Sequence, residues 1–215
     1  MGGEKNVSVG HYSLFALTTG AYNVAIGANA LDDNTTASNN TAVGYATLAS
    51  NVTGANNTAV GSNALLVNTG GDNTAVGSIA LDANTTGTNN VAVGRNSLGA
   101  NTTGSSNCAF GTSALSNNTT ASNNTAVGDE AMFDANGTAH STAVGRRSLY
   151  ELTTGNYNTA VGSASQYNTT TGASNTSMGI DSLKQNTTGS YNVAIGGNNL
   201  DANTTGNANT CLLYT

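Results

Sequence analysis

Few residues in this chain are of types that do chemistry, and their spacing limits what they could do. Catalysis or metal binding needs convergent partners. His11 and His140 stand far apart, and Asp129, Glu130 and Asp134 form the sole acidic cluster. Asp32, Asp82 and Asp201 recur without the GGxGxD calcium pattern, and no G-x-G-x-x-G or P-loop sequence accompanies a helix signal. These observations predict no catalytic residue, no metal site, no cofactor and no enzyme. The conspicuous chemistry is that of Asn-Thr-Thr. N-glycosylation sequons begin at Asn34, Asn51, Asn84, Asn101, Asn118, Asn186 and Asn203, with Asn136 and Asn168 displaced by one residue. Sugars could attach through these Asn residues or through the hydroxyls of Thr36, Thr86, Thr103, Thr120, Thr188 and Thr205. The alternative is that N-T-T-G is turn chemistry, its side chains bonding local backbone.

Something must position such a block so regularly. Of 215 residues, 34 are Asn, 34 Thr and 27 Gly, whereas Leu, Ile, Val and Phe total only 36, too few for an ordinary globular core. Pro and Trp are absent. Net charge is −6 with five scattered Lys and Arg, which excludes a basic nucleic-acid footprint, and no long apolar run suggests membrane insertion. Residues 1–5 lead in without an apolar secretion-type stretch.

The order comes from a repeat. A Gly after an apolar residue returns at positions 10, 27, 44, 61, 77, 94, 111, 128, 145, 162, 179 and 196, every step being 17 residues except one of 16. Twelve units therefore occupy residues 6–208, and residues 209–215 begin a thirteenth that breaks off, so the expectation is part of a continuing array. With Gly as position 0, Asn fills −4 in eleven units, Val or Thr fills −3 except at Cys108, and an apolar residue always fills −1. Position −2 is Ala or Ser, and Leu occupies +4 except at Met132 and Gln166.

Seventeen residues are too few for a helical hairpin and fit one coil of a β-solenoid, predicted as two strands of about five residues joined by two turns. Stacked coils would make each column a ladder, with Asn amides bonding from coil to coil and Gly at 0 and +10 serving the turns. The short unit, where Asn68-Thr69-Gly70-Gly71 replaces N-T-T-G, loses its residue in a turn. Cys108 and Cys211 would lie six coils apart, about 29 Å, too far for a disulfide, with Cys108 a small core residue. The alternation puts −3 and −1 on one face and −2 on the other. Val43, Val60, Val93 and Val127 are predicted to fill the coil with Leu48, Leu65, Leu98 and Leu149. The small column Ala25, Ala42, Ala59, Ala75, Ala92, Ala109, Ala126, Ala143, Ala160 and Ala194 is then predicted to pack between protomers; the alternative is that it faces a narrow part of its own coil.

The runs Asn23-Val24-Ala25-Ile26-Gly27 and Asn192-Val193-Ala194-Ile195-Gly196 resemble the NSVAIG repeat of trimeric autotransporter adhesin heads. The 17-residue form, as in residues 73–89, is similar to arrays of phage tail-fibre proteins, and the resemblance covers residues 6–212. It implies a parallel β-roll assembled as a homotrimer. Adhesin-head units are shorter, and these residues show no coiled-coil stalk, membrane anchor or chaperone domain, so virion and bacterial surface both stay open.

The expectation is an all-β parallel β-solenoid, a rigid homotrimeric extracellular fibre segment, polymeric in a filament, that adheres to a cell-surface carbohydrate or protein receptor. An ice-binding solenoid is the alternative. It ranks lower because adjacent Thr residues of a strand point to opposite faces and leave one outward Thr per coil. A polysaccharide-degrading fibre would need paired carboxylates in one coil neighbourhood.

Overall fold

The T/V-A-V/I triplet of each repeat forms a strand of three residues, ended at once by the Gly that follows. In the computed structural model, which describes residues 4–213, these strands build an all-β parallel solenoid of about twelve turns, with no helix among the described residues. The ends of the predicted lead-in and of the thirteenth repeat, residues 1–3 and 214–215, lie outside the described residues.

The chain divides into two compact units, Met1–Ser106 and Asn107–Thr215. In the first, β1 (Val7–Val9), β2 (Val24–Ile26), β3 (Thr41–Val43), β4 (Thr58–Val60), β5 (Thr74–Val76) and β6 (Val91–Val93) pair in parallel, each with the next. In the second, β7 (Cys108–Phe110), β8 (Thr125–Val127), β9 (Thr142–Val144), β10 (Thr159–Val161), β11 (Thr176–Met178), β12 (Val193–Ile195) and β13 (Thr210–Leu212) do the same. Register is column on column, as the repeat requires: Ala42 opposes Ala59, and Ala126 opposes Ala143.

A second strand per coil does not form. From +1 to +6 the chain is a run of turns in which +2 and +4 take left-handed backbone angles, as at Asn29 (φ 57°) and Leu31 (φ 52°). Leucine is an unusual occupant of that region, at a cost of about 1–2 kcal/mol. Its complete burial, worth roughly 1.5–3 kcal/mol, offsets this. Hydrogen bonds to neighbouring coils fix the backbone: Leu31 N–H donates to the Thr47 carbonyl at 3.0 Å and Asn29 N–H to the His11 carbonyl at 2.8 Å.

Beyond +4 the chain turns inward every third residue. Leu31, Asn34, Ala37 and Asn40 are buried, and the two residues between each pair face outward or sideways. Two of these four columns are asparagine: the −4 column forms a ladder, and the +7 column bonds from coil to coil at Asn68–Asn84–Asn101 and at Asn186–Asn203. At −4, the backbone N–H of Asn40 donates to Asn23 Oδ1 (3.0 Å) and that of Asn57 to Asn40 Oδ1 (2.9 Å), while Asn40 Nδ2 donates to the Gly54 carbonyl at 2.9 Å. At +7, Asn101 Nδ2 donates to Asn84 Oδ1 at 2.8 Å and to its own coil's Gly104 carbonyl at 3.0 Å. Carboxamides thus satisfy backbone groups that a dry coil would otherwise strand.

Gly at 0 is needed twice over. Gly128 has φ 136°, and a Cβ there would lie 2.6 Å from the Gly145 carbonyl oxygen. At +10 the requirement is close approach alone, since a Cβ on Gly54 would lie 2.3 Å from the Gly70 carbonyl oxygen. In the short coil Gly70 itself takes the buried place, Asn57 and Asn68 both donating to its carbonyl (3.0 and 2.7 Å). The residue lost is therefore the outward second Thr, and β4 and β5 keep their register.

Where a column breaks, a neighbour compensates. Ser141 replaces the −4 Asn and cannot reach the Gly155 carbonyl; Thr138, in place of the +10 Gly, donates its hydroxyl there at 2.5 Å. Gln166 replaces the +4 Leu, and its amide Nε2 donates to Ser177 Oγ (2.9 Å), itself a replacement for the −2 Ala, and to the Thr159 carbonyl (3.0 Å).

Candidate functional site

The strand places its faces in the opposite sense to the one expected. Ala25, Ala42, Ala59, Ala75, Ala92, Ala109, Ala126, Ala143, Ala160 and Ala194 are completely buried inside their own coils and are not available for packing between protomers. The space between the strand and the +3 and +4 residues opposite it takes a small side chain, as the buried Ser177 beside Ser165 and Gln166 also shows. The −1 row consequently faces out. Val60 and Val127 are each 37% exposed, and Val43 and Val93 are half-buried on the same face, so none of these four fills the coil. Leu48, Leu65, Leu98 and Leu149 are completely buried, as expected. Cys108 lies at −3 on the outer side, half-buried rather than in the core, where burial pushes its thiol up; it and Cys211 are free thiols.

An outward apolar row results in each unit. In the first it runs Val9, Ile26, Val43, Val60, Val76, Val93, about 24 Å at the spacing of paired strands. In the second it runs from Phe110 through Val127 to Leu212, seven side chains over about 29 Å. The Thr and Val of −3 flank each row on the same face.

The sequon asparagines are the reverse case. Asn34, Asn51, Asn84, Asn101, Asn118 and Asn186 are completely buried, and Asn203 is half-buried with its Nδ2 donating to Asn186 Oδ1 at 3.1 Å. An amide nitrogen held inside the coil cannot carry a glycan on the folded chain, so these sites are corrected to interior residues whose Nδ2 donates to the carbonyl three residues on, as in Asn34 to Ala37 (3.1 Å) and Asn51 to Gly54 (2.8 Å). Asn136, displaced by one, is exposed because Ala135 takes the buried place; Asn168 is half-buried. Thr36, Thr86, Thr103, Thr120, Thr188 and Thr205 all face outward. The Thr before each is spent differently: Thr85 Oγ1 donates to the Thr102 carbonyl (2.9 Å) and Thr187 Oγ1 to the Thr204 carbonyl (3.0 Å). One hydroxyl row per coil therefore remains outward at this corner.

No family model, curated protein or solved structure matches the chain.

The charged residues pair one coil apart. Asp129 meets Arg146 at 3.5 Å, Glu130 meets Arg147, and Asn117 Nδ2 donates to Asp134 at 2.7 Å. The Glu130 hydrogen bond raises the Arg147 pKa further. His140 is exposed and stacks on Tyr157 at 5.4 Å, and His11 lies against Tyr12. Among the described residues no three His, Cys, Asp or Glu come together to hold a metal ion. The sequence reading missed an aromatic series. Phe133, Tyr150 and Tyr167 stack with centroids 5.3 and 4.9 Å apart and nearly parallel planes. Their 17-residue spacing was the available signal.

Proposed function

We propose that this chain is a structural segment of an extracellular fibre, a rigid β-solenoid that assembles as a homotrimer through the outward −1 row and projects from a virion or bacterial surface. The observation that carries this reading is the apolar row itself. A coil that leaves its Val and Ile outside while hiding Ala and Asn inside gains little from burial as a single chain, and covering the row recovers part of that stabilisation at about 25 cal/mol per Å². Register-locked ladders supply stiffness, because each coil is bonded to its neighbours by backbone and by carboxamides.

Sugars on such a fibre would sit on the outward Thr row, spaced about 4.8 Å apart along the corner. With 7% charged residues the surface has little other means of keeping fibres apart. Ice binding is the weaker reading, since half of the Thr-Thr hydroxyls at this corner are engaged with carbonyls.

Native mass of the chain and of Val127→Asp tests the assembly. A trimer that falls to monomer in the variant, with unchanged circular dichroism, is expected. A parent that is monomeric at micromolar concentration would overturn the trimer. Intact mass of native material tests modification: added hexose-type mass mapping to Thr is expected, and an unmodified polypeptide leaves the Thr row as turn structure alone.

A further inference from the structure

The chain has only five Lys and Arg, yet three of them, Arg146, Arg147 and Lys184, line one concavity of about 280 Å³ in the second unit. Ser163, Ala164, Tyr167 and Asn168 complete the lining, and no carboxylate does. The repeat explains the hollow. Arg146 and Arg147 stand at +1 and +2 of one coil, and the next coil carries the small Ser163 and Ala164 in those places. Tyr167 and Lys184 occupy +5 of successive coils.

Each of the three cations has an acid beside it, and Arg147 also lies over the Tyr150 ring at 5.7 Å. Asp129 and Glu130 of the preceding coil both contact their arginines at Nε. Because these contacts are made at Nε, the terminal amino groups can bind an anion in the fork geometry that matches a carboxylate. Lys184 is steadied by Asp181 at 2.9 Å. Tyr167 ends the Phe133–Tyr150–Tyr167 stack, so one face of its ring has no aromatic partner.

We propose that this hollow binds one carboxylated sugar unit of a glycan. Arg146, Arg147 and Lys184 take the carboxylate, the ring packs on Tyr167, and Asn168 bonds a hydroxyl. Volume and charge narrow the class. The cavity is below the roughly 300–1,000 Å³ of drug-sized pockets, which suits one pyranose rather than a chain. A protein of net charge −6, with acids just behind each arginine, disfavours nucleic acid and other dense polyanions but tolerates one local negative group. This deepens the adhesive part of the fibre reading and rests on it for its setting.

Titration of the full chain with glucuronic acid, followed by NMR, tests the site. Saturable shifts confined to residues around the hollow are expected, with no response to glucose. Arg146→Gln and Lys184→Gln should each weaken binding by about fivefold, the worth of one partly exposed charge pair. Ser163→Tyr, which fills the hollow and keeps every charge, should abolish it. Arg95→Gln, in the other unit, should leave it unchanged. Absence of saturable binding, an equal loss in Arg95→Gln, or inorganic phosphate binding as tightly as glucuronic acid would each overturn the sugar site. Native mass recorded on the same samples separates the two claims: a monomer that binds glucuronic acid supports the hollow while removing the trimer.

Discussion

The strand side and the Asn-Thr-Thr corner of each coil solve the same problem with opposite materials. On the strand side Ala126 is hidden and Val127 shown; at the corner Asn101 is hidden and Thr103 shown. Neither follows the rule that apolar residues go in and polar ones out. In a coil this thin, the space across the section and the hydrogen-bonding needs of backbone decide which side chain goes inside. Ala is inside because only a small side chain fits between a strand and the facing Leu, and Asn is inside because its carboxamide supplies a donor where a turn leaves carbonyls unmatched.

That contrast can be broken in graded steps. Ala126→Leu should be the most damaging, destabilising each chain by about 3 kcal/mol, because Ala109 and Ala143 above and below leave no room to repack. Urea unfolding of the monomeric Val127→Asp background isolates this from assembly. Asn101→Ala should follow at about 2 kcal/mol, since it strands Asn84 Oδ1 in a dry interior and leaves the Gly104 carbonyl with Asn90 Nδ2 as its remaining side-chain donor. Thr103→Ala, two residues away and outward, should shift the same midpoint by under about 0.5 kcal/mol. If the two substitutions cost the same, the corner has no inside.

The sharpest refinement lies where both regions are irregular. Gln166 and Ser177 are polar replacements for Leu and Ala, and the Gln166 Oε1 is buried without a hydrogen-bond partner. Gln166→Leu with Ser177→Ala should restore the ordinary coil and raise stability by about 1 kcal/mol, with the paired change exceeding the sum of the two single ones. Additive effects would mean that the two replacements are independent.

The smallest effect concerns Asp82, whose carboxyl burial holds above the ordinary range. The unfolded chain then ionises first, so stability falls as pH rises through the carboxylate range. Asp82→Asn should therefore stabilise slightly at neutral pH, by under about 0.5 kcal/mol. The gain should vanish below about pH 3, where both states are protonated. Melting curves at the two pH values check the sign.

Much of this was legible in the residues. The period placed every coil, the Leu column was recognisably interior, and the Asn column carried its ladder. The direction of the strand was not, because a three-residue alternation separates two faces without saying which is inner; only the narrowness of the section decides, and composition does not report it. The buried role of Asn34 and its equivalents was present as a spacing of three through Leu31, Asn34, Ala37 and Asn40, hidden behind the sequon that shares the same Asn. The pairs Asp129–Arg146 and Glu130–Arg147 are one repeat apart and could have been read by sliding the period along the charges.

Adjacent asparagines give the most direct test of the inward placement. Asn39 and Asn123 are exposed, whereas Asn40 and Asn124, the next residues, are completely buried and donate Nδ2 to the Gly54 and Thr138 carbonyls at 2.9 and 2.7 Å. Hydrogen exchange of the side-chain amides, resolved by NMR on the intact chain, compares them under identical conditions. Strong protection of Asn40 and Asn124 beside rapid exchange at Asn39 and Asn123 is the predicted result; equally rapid exchange within each pair would contradict a carboxamide-filled coil.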